Sequence, residues 1–163
     1  MKNVKIFQWI SICLILIIVS GCAGIYENGK ELATDTKPYI EEITVDELNA
    51  KIENSEEFFL LDVRQPAEFE KSNLPYSTPI PRGVLEFKIG NKTFWEDDQQ
   101  WYVPEKDAEI IIYCKKGDRG ILATKTLTEL GYSNVKNLAG GIVAWDPEFD
   151  AGSETSEEGG CGG

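Results

Sequence analysis

The stretch Ile110-Ile111-Ile112-Tyr113-Cys114-Lys115-Lys116-Gly117-Asp118-Arg119-Gly120 decides how this chain is read. An unbroken apolar run, as a strand buried on both faces shows, ends on a cysteine. A short loop with a glycine and three basic side chains follows. A helical pattern then begins, in which Leu122, Ala123, Thr126, Leu127 and Leu130 fall on one face. That order places a thiol at the mouth of a loop whose backbone N–H groups converge on it. The positive end of the following helix points the same way. These conditions favour the thiolate, the nucleophilic form of cysteine. The alternative is a small hydrophobe closing a buried strand. That role needs no charge, and Lys115, Lys116 and Arg119 make the setting electropositive.

Outward from this core, Phe58–Leu61 and Val135–Leu138 read as further short strands. Thr44-Val45-Asp46-Glu47 is a capping-box pattern and predicts a helix from about Val45 to Glu53. Gly131 fits the position just past the end of a helix. Alternating strands and helices predict an α/β fold, a three-layer sandwich with a small, mainly parallel central sheet flanked by helices. Ligands in such sheets bind beyond the carboxyl ends of the strands. Asp62 and Cys114 both end apolar runs, so they belong on one edge. The segment Arg82 to Tyr102 is less regular and holds Phe87, Phe94, Trp95, Trp101 and Tyr102. It reads either as core packing of a long connection or as a lid over the site.

The run Cys114-Lys115-Lys116-Gly117-Asp118-Arg119 resembles the C-x-x-G-x-R active-site loop of rhodanese-homology domains, a sulfurtransferase family. Leu60-Leu61-Asp62-Val63-Arg64 with Pro66-Ala67-Glu68-Phe69 resembles that family's L-x-D-V-R-x-x-x-E-[FY] segment. Leu130-Gly131-Tyr132 with Val135 to Leu138, and Gly140-Gly141-Ile142-Val143-Ala144-Trp145, match two more of its motifs in order. The segment Ser72-Asn73-Leu74-Pro75-Tyr76-Ser77-Thr78-Pro79-Ile80-Pro81 departs from the family pattern, lacking its histidine and two glycines. The resemblance implies Cys114 as the catalytic residue. It implies Lys115, Lys116, Gly117, Asp118, Arg119 and Gly120 as the substrate-binding loop, with Asp62, Arg64 and Glu68 supporting it. Four residues separate Cys114 from Arg119. Related phosphatases have five, so the smaller loop suits a sulfur atom better than a tetrahedral oxyanion.

The ends carry different information. Met1 to Gly21 reads as a secretory signal, with Lys2 and Lys5 before the apolar run Ile6 to Val19. Val19-Ser20-Gly21-Cys22 resembles the bacterial lipobox, which implies cleavage before Cys22 and a lipid on its thiol. The competing reading is an uncleaved anchor, for which the apolar run is marginal. Both tether the domain to a membrane outside the cytoplasm, on the cell envelope. Ala23 after the cysteine slightly favours an outer membrane where the cell has two. The expected domain plan is a signal at 1–21, a flexible tether at 22–38, a rhodanese-like domain at 39–147 and a disordered acidic tail at 148–163. Asp146 to Gly163 holds six acids, five glycines and Cys161, which is either an incidental thiol or a second one serving Cys114.

The formal charge of −12 disfavours nucleic acid, so the basic cluster at 115–119 points to a small anionic ligand met locally. There is no histidine, which excludes Cys-His and Ser-His catalysis and imidazole metal sites. No metal or cofactor is implied. The expected partners are a small anionic sulfur donor, a thiol or other thiophilic acceptor, a protein persulfide, and a membrane through the lipid. Three functions compete: a sulfurtransferase, a non-catalytic sulfur carrier or redox relay, and a phosphatase.

Overall fold

A computed structural model describes residues 25–150. The signal, Cys22 and the stretch carrying Cys161 lie outside the described residues. Five strands form one sheet: β1 (Glu41–Ile43), β2 (Phe59–Asp62), β3 (Ser77–Pro79), β4 (Ile110–Tyr113) and β5 (Val135–Leu138). Their spatial order is β1-β5-β4-β2-β3, and every pairing is parallel.

The unbroken apolar runs serve two cores at once, because successive side chains of a strand face opposite ways. From the β2 and β4 segments, Phe59, Leu61, Val63, Ile110, Ile112 and Cys114 enter one core. Leu60, Ile111 and Tyr113 enter the other. The first core is covered by α4 (Leu85–Lys88), by a wide π-helical turn (Thr93–Asp98) and by α5 (Asp118–Glu129). The second is covered by α2 (Val45–Glu53) and α6 (Gly141–Trp145). Helix α3 (Pro66–Lys71) links β2 to β3. The three-layer α/β arrangement is the expected one.

Helix α2 has the predicted bounds. Thr44 Oγ1 accepts from the Glu47 N–H at 3.2 Å, and the Glu47 carboxylate accepts from the Thr44 N–H at 2.8 Å. Gly131 has φ +90° just past the end of α5. The buried face of α5 is rotated from the predicted one. Gly120, Ile121, Ala123, Thr124 and Leu127 are buried, while Leu130 is 41% exposed. A glycine and a threonine face the sheet there, and hydrophobicity alone does not mark them.

Two further expectations are corrected. Within the expected tether, Gly29–Thr36 forms helix α1, capped by Asn28, whose Oδ1 accepts from the N–H groups of Lys30 and Glu31. Ala33 and Thr36 are buried, and α1 packs on α5. At the other end the ordered domain continues past 147, and Phe149 packs into the second core. The lid reading of 82–102 also fails for its largest rings. Trp95 is fully buried and Phe94 nearly so. Trp95, Trp101 and Tyr102 surround Phe59, with ring centroids 5.3, 6.4 and 5.3 Å away. Phe59 begins β2, at the end of the sheet opposite Asp62.

Candidate active site

Parallel register sets the site. Asp62 pairs with Tyr113, and Val63 N–H donates to the Tyr113 carbonyl at 3.0 Å, so β2 and β4 end level and Cys114 emerges on that edge. Cys114 is 2% exposed. Its Sγ accepts from the Gly117 N–H at 3.1 Å, closing the loop over the sulfur. Gly117 has φ +106° and caps α5, a conformation that glycine adopts without a Cβ penalty.

The loop is gripped from below by α6. Ile142 N–H donates to the Cys114 carbonyl at 2.9 Å and Val143 N–H to the Lys115 carbonyl at 3.2 Å. A trans peptide that turns its carbonyl toward α6 turns its N–H the opposite way. This close approach explains Gly141: at φ +62°, a Cβ there would collide with the Cys114 carbonyl and lie 2.8 Å from that of Lys115.

Around the sulfur, Lys115 is half-buried, Lys116 and Asp118 are exposed, and Gly117 and Gly120 are buried. Arg119 makes a two-point fork on Glu68, with Nη1 and Nη2 each 2.8 Å from a carboxylate oxygen. Glu68 holds the guanidinium above its ordinary value, and Cys114 adds to that shift, so Arg119 lies within electrostatic reach of the sulfur. Arg119 in turn holds the Glu68 carboxyl below its ordinary value, against the opposing effect of burial.

The other supporting residues lie one layer down. Arg64 and Asp62 are buried together, with Arg64 Nη2 2.6 Å from Asp62 Oδ2 and 2.6 Å from the Ser72 carbonyl. The Tyr113 and Phe149 rings flank the guanidinium at 5.5 and 5.3 Å. The atypical 72–81 segment is held by a group the motifs do not show. Tyr113 Oη accepts from Leu74 N–H at 3.1 Å and bonds Ser77 Oγ at 2.9 Å. Burial raises the Tyr113 hydroxyl well above its ordinary value, keeping it neutral. Asn137 is a second group the motifs miss: a fully buried amide in β5, beneath the first turn of α5. Its place between Lys136 and Leu138 in the short Val135–Leu138 strand gave it no distinguishing sequence mark.

A buried sulfur, an aimed N–H, a helix N-terminus and a fixed guanidinium form a cradle for a developing negative charge on sulfur, as an oxyanion hole does for oxygen. Comparison with known proteins identifies the family. The rhodanese-like domain model matches residues 44–148, and the chain belongs to that family. A sulfurtransferase of Allochromatium vinosum is 30% identical over 106 residues, covering 65% of this chain and 88% of its own. The human single-domain sulfurtransferase TSTD1 superposes with a TM-score of 0.59 at 25% identity, over 64% of this chain and 93% of its own. A Rhodopseudomonas palustris protein described as a possible tyrosine phosphatase superposes with a TM-score of 0.61 at 27% identity, over 79% and 96%.

The Glu68–Arg119 fork carries a prediction. Glu68→Gln should lower kcat/KM for sulfur transfer roughly 10- to 100-fold, because Arg119 loses its fixed geometry. The folded carboxyl lies below its ordinary 4.5, so the fork is complete above that pH and is lost as pH falls through the lower folded value. In wild type this adds an acid limb to the pH–rate profile, and Glu68→Gln should lack it. An unchanged rate and profile in the variant would remove Glu68 from the site.

Proposed function

We propose that Cys114 of this rhodanese-type sulfurtransferase takes a sulfane sulfur from a small anionic donor as a persulfide and hands it to a thiol. The Cys114 thiolate attacks the outer sulfur of the donor, and the bond from that sulfur to the rest of the donor breaks, its electron pair leaving with the donor residue. The acceptor thiolate then attacks the terminal persulfide sulfur, and the pair of the broken S–S bond returns to Cys114. The observation carrying this reading is the Gly117 N–H on Cys114 Sγ at 3.1 Å, which shows the loop already closed around a sulfur atom. The same loop, one residue shorter than in phosphatases, argues against phosphate as substrate.

Intact mass after incubation with thiosulfate, polysulfide or glutathione persulfide tests it. One added sulfur atom on Cys114, removed by dithiothreitol, is expected with at least one donor. No adduct and no turnover with any of them would defeat the proposal. Stoichiometric loading without steady-state turnover would identify a carrier. Repeating the measurement on a chain truncated after Asp150 asks whether Cys161 takes the sulfur. Its case rests on Phe149, which leaves the domain beside Arg64, on the edge that bears Cys114.

The envelope location is a separate proposal, supported by Val19-Ser20-Gly21-Cys22. Membrane-fraction protein should begin at Cys22 and carry a diacylglyceryl group, whose two chains suffice for stable anchoring. Cys22→Ala should abolish the mass excess. A membrane form with Met1 intact would support the uncleaved anchor instead.

A further inference from the structure

We propose that Asn137 is a positioning residue for the sulfur cradle and that Glu42 orients it. Asn137 is fully buried on the α5 side of β5, level with Glu42 of β1 in the parallel register. Its Nδ2 donates to Glu42 Oε1 at 3.0 Å. An ionised carboxylate only accepts, so the amide has one orientation, nitrogen toward β1 and oxygen toward α5. Lys37 Nζ, 3.0 Å from Glu42 Oε2, steadies the carboxylate from the outer side.

The amide is wedged under both ends of the first turn of α5, whose N-cap, Gly117, also closes the loop over the sulfur. A Cβ on Gly120 would overlap Asn137 Oδ1 and lie 3.2 Å from Asn137 Cγ, while one on Gly117 would lie 3.8 Å from Nδ2. Gly117 closes the Cys114–Gly117 loop by donating its N–H to Cys114 Sγ, and the chain from Gly117 to Gly120 is the first turn of α5. The thickness of the amide therefore sets the height of the turn above the sheet. Oδ1 has no hydrogen-bond partner among the described residues. Leaving a buried oxygen unpaired is costly, and an apolar side chain would fill the space without that cost. What the amide adds is a dipole whose negative end faces the positive end of α5 and holds its first turn down. Lys37, Glu42, Asn137 and the Gly117–Gly120 turn thus connect the protein surface to the nucleophile.

The proposal rests on Cys114 being a nucleophile, so its test reads the thiol directly. Iodoacetamide labelling of the full chain, quantified on the Cys114 peptide, needs no sulfur donor. Asn137→Ala should slow labelling roughly tenfold, and lower kcat in parallel with KM unchanged. Glu42→Ala should slow it by about threefold, while Glu42→Gln, which still presents an oxygen to Nδ2, should stay near wild type. The double variant should be no slower than Asn137→Ala alone, because both act through one amide. Labelling of folded Asn137→Ala at the wild-type rate overturns the proposal, and so do additive losses in the double variant. Should Asn137→Ala fail to fold, Glu42→Ala decides, and a wild-type rate there overturns it. Slowed labelling in a chain that transfers no sulfur would uphold this proposal and reject the sulfurtransferase mechanism alone.

Discussion

Cys114→Ser is expected to fold normally and to transfer no sulfur. The side chain sits at 2% exposure in the first core, and serine is close to it in volume. The new hydroxyl keeps an acceptor for the Gly117 N–H, so stability should change by no more than about 1–2 kcal/mol. The chemistry has no such reserve. A hydroxyl in this site has no histidine to take its proton, since the chain contains none. It also forms no persulfide. Turnover should fall by on the order of 10⁴-fold or more, the scale seen when a covalent nucleophile is removed. Donor consumption and intact mass check both halves. Persistence of the sulfur adduct in Cys114→Ser would move the nucleophile to another cysteine.

The largest effect on stability should come from Asp62→Ala. Arg64 is 1% exposed and its Nη1 already lacks a hydrogen-bond partner. Removing Asp62 takes away both contacts to Nε, one of the two to Nη2, and the bond to the Arg64 backbone N–H at 2.9 Å. A buried guanidinium then keeps only the Ser72 carbonyl and two aromatic faces. Breaking one side of a buried pair costs about 3–5 kcal/mol, whereas replacing both partners with apolar groups is often close to neutral. Asp62→Ala should therefore lower the urea midpoint sharply, and Asp62→Ala with Arg64→Met should recover most of the loss. If the single and double variants denature together, the pair is not what stabilises this edge.

The centre of the sheet was legible in the sequence because β2 and β4 are short, continuous apolar runs, while the edge strands β1 (Glu41–Ile43) and β3 (Ser77–Pro79) are polar and short and left no such mark. Ile110–Tyr113 and Val135–Leu138 have the bounds expected of them, and Phe59–Asp62 is displaced by one residue. Helix α2 announced itself through Thr44 and Glu47. Of the site, the Cys114 loop was legible because glycine and basic residues after a strand have few other uses. Arg119 was read as a ligand for the donor, and its partner Glu68, 51 positions earlier, gives it a second role that only the fold reveals. Tyr113 read as one more apolar strand residue, although its hydroxyl fastens the 72–81 loop. Asn137 and the glycines above it make sense only once α5 is laid on β5. Helix α1 was missed for a different reason. Its buried residues are Ala33 and Thr36, too small and too polar to produce a hydrophobic stripe.

That short helix governs how far the domain stands from whatever holds its N-terminus. Five residues separate Cys22 from the Asn28 cap, and the six steps between them reach at most about 20 Å. Tyr26 and Tyr39 line a depression with Lys125, Thr128 and Glu129, at the far end of α5 from Gly117. Were Cys22 acylated as proposed above, that corner, where Tyr39 is 87% exposed, would lie nearest the lipid headgroups. The twelve residues of α5 span about 18 Å, so the same anchor would leave the thiol on the pole away from the membrane. The anchored molecule would then be a short mast with its reactive atom at the masthead, its standoff set by the length of chain before Asn28.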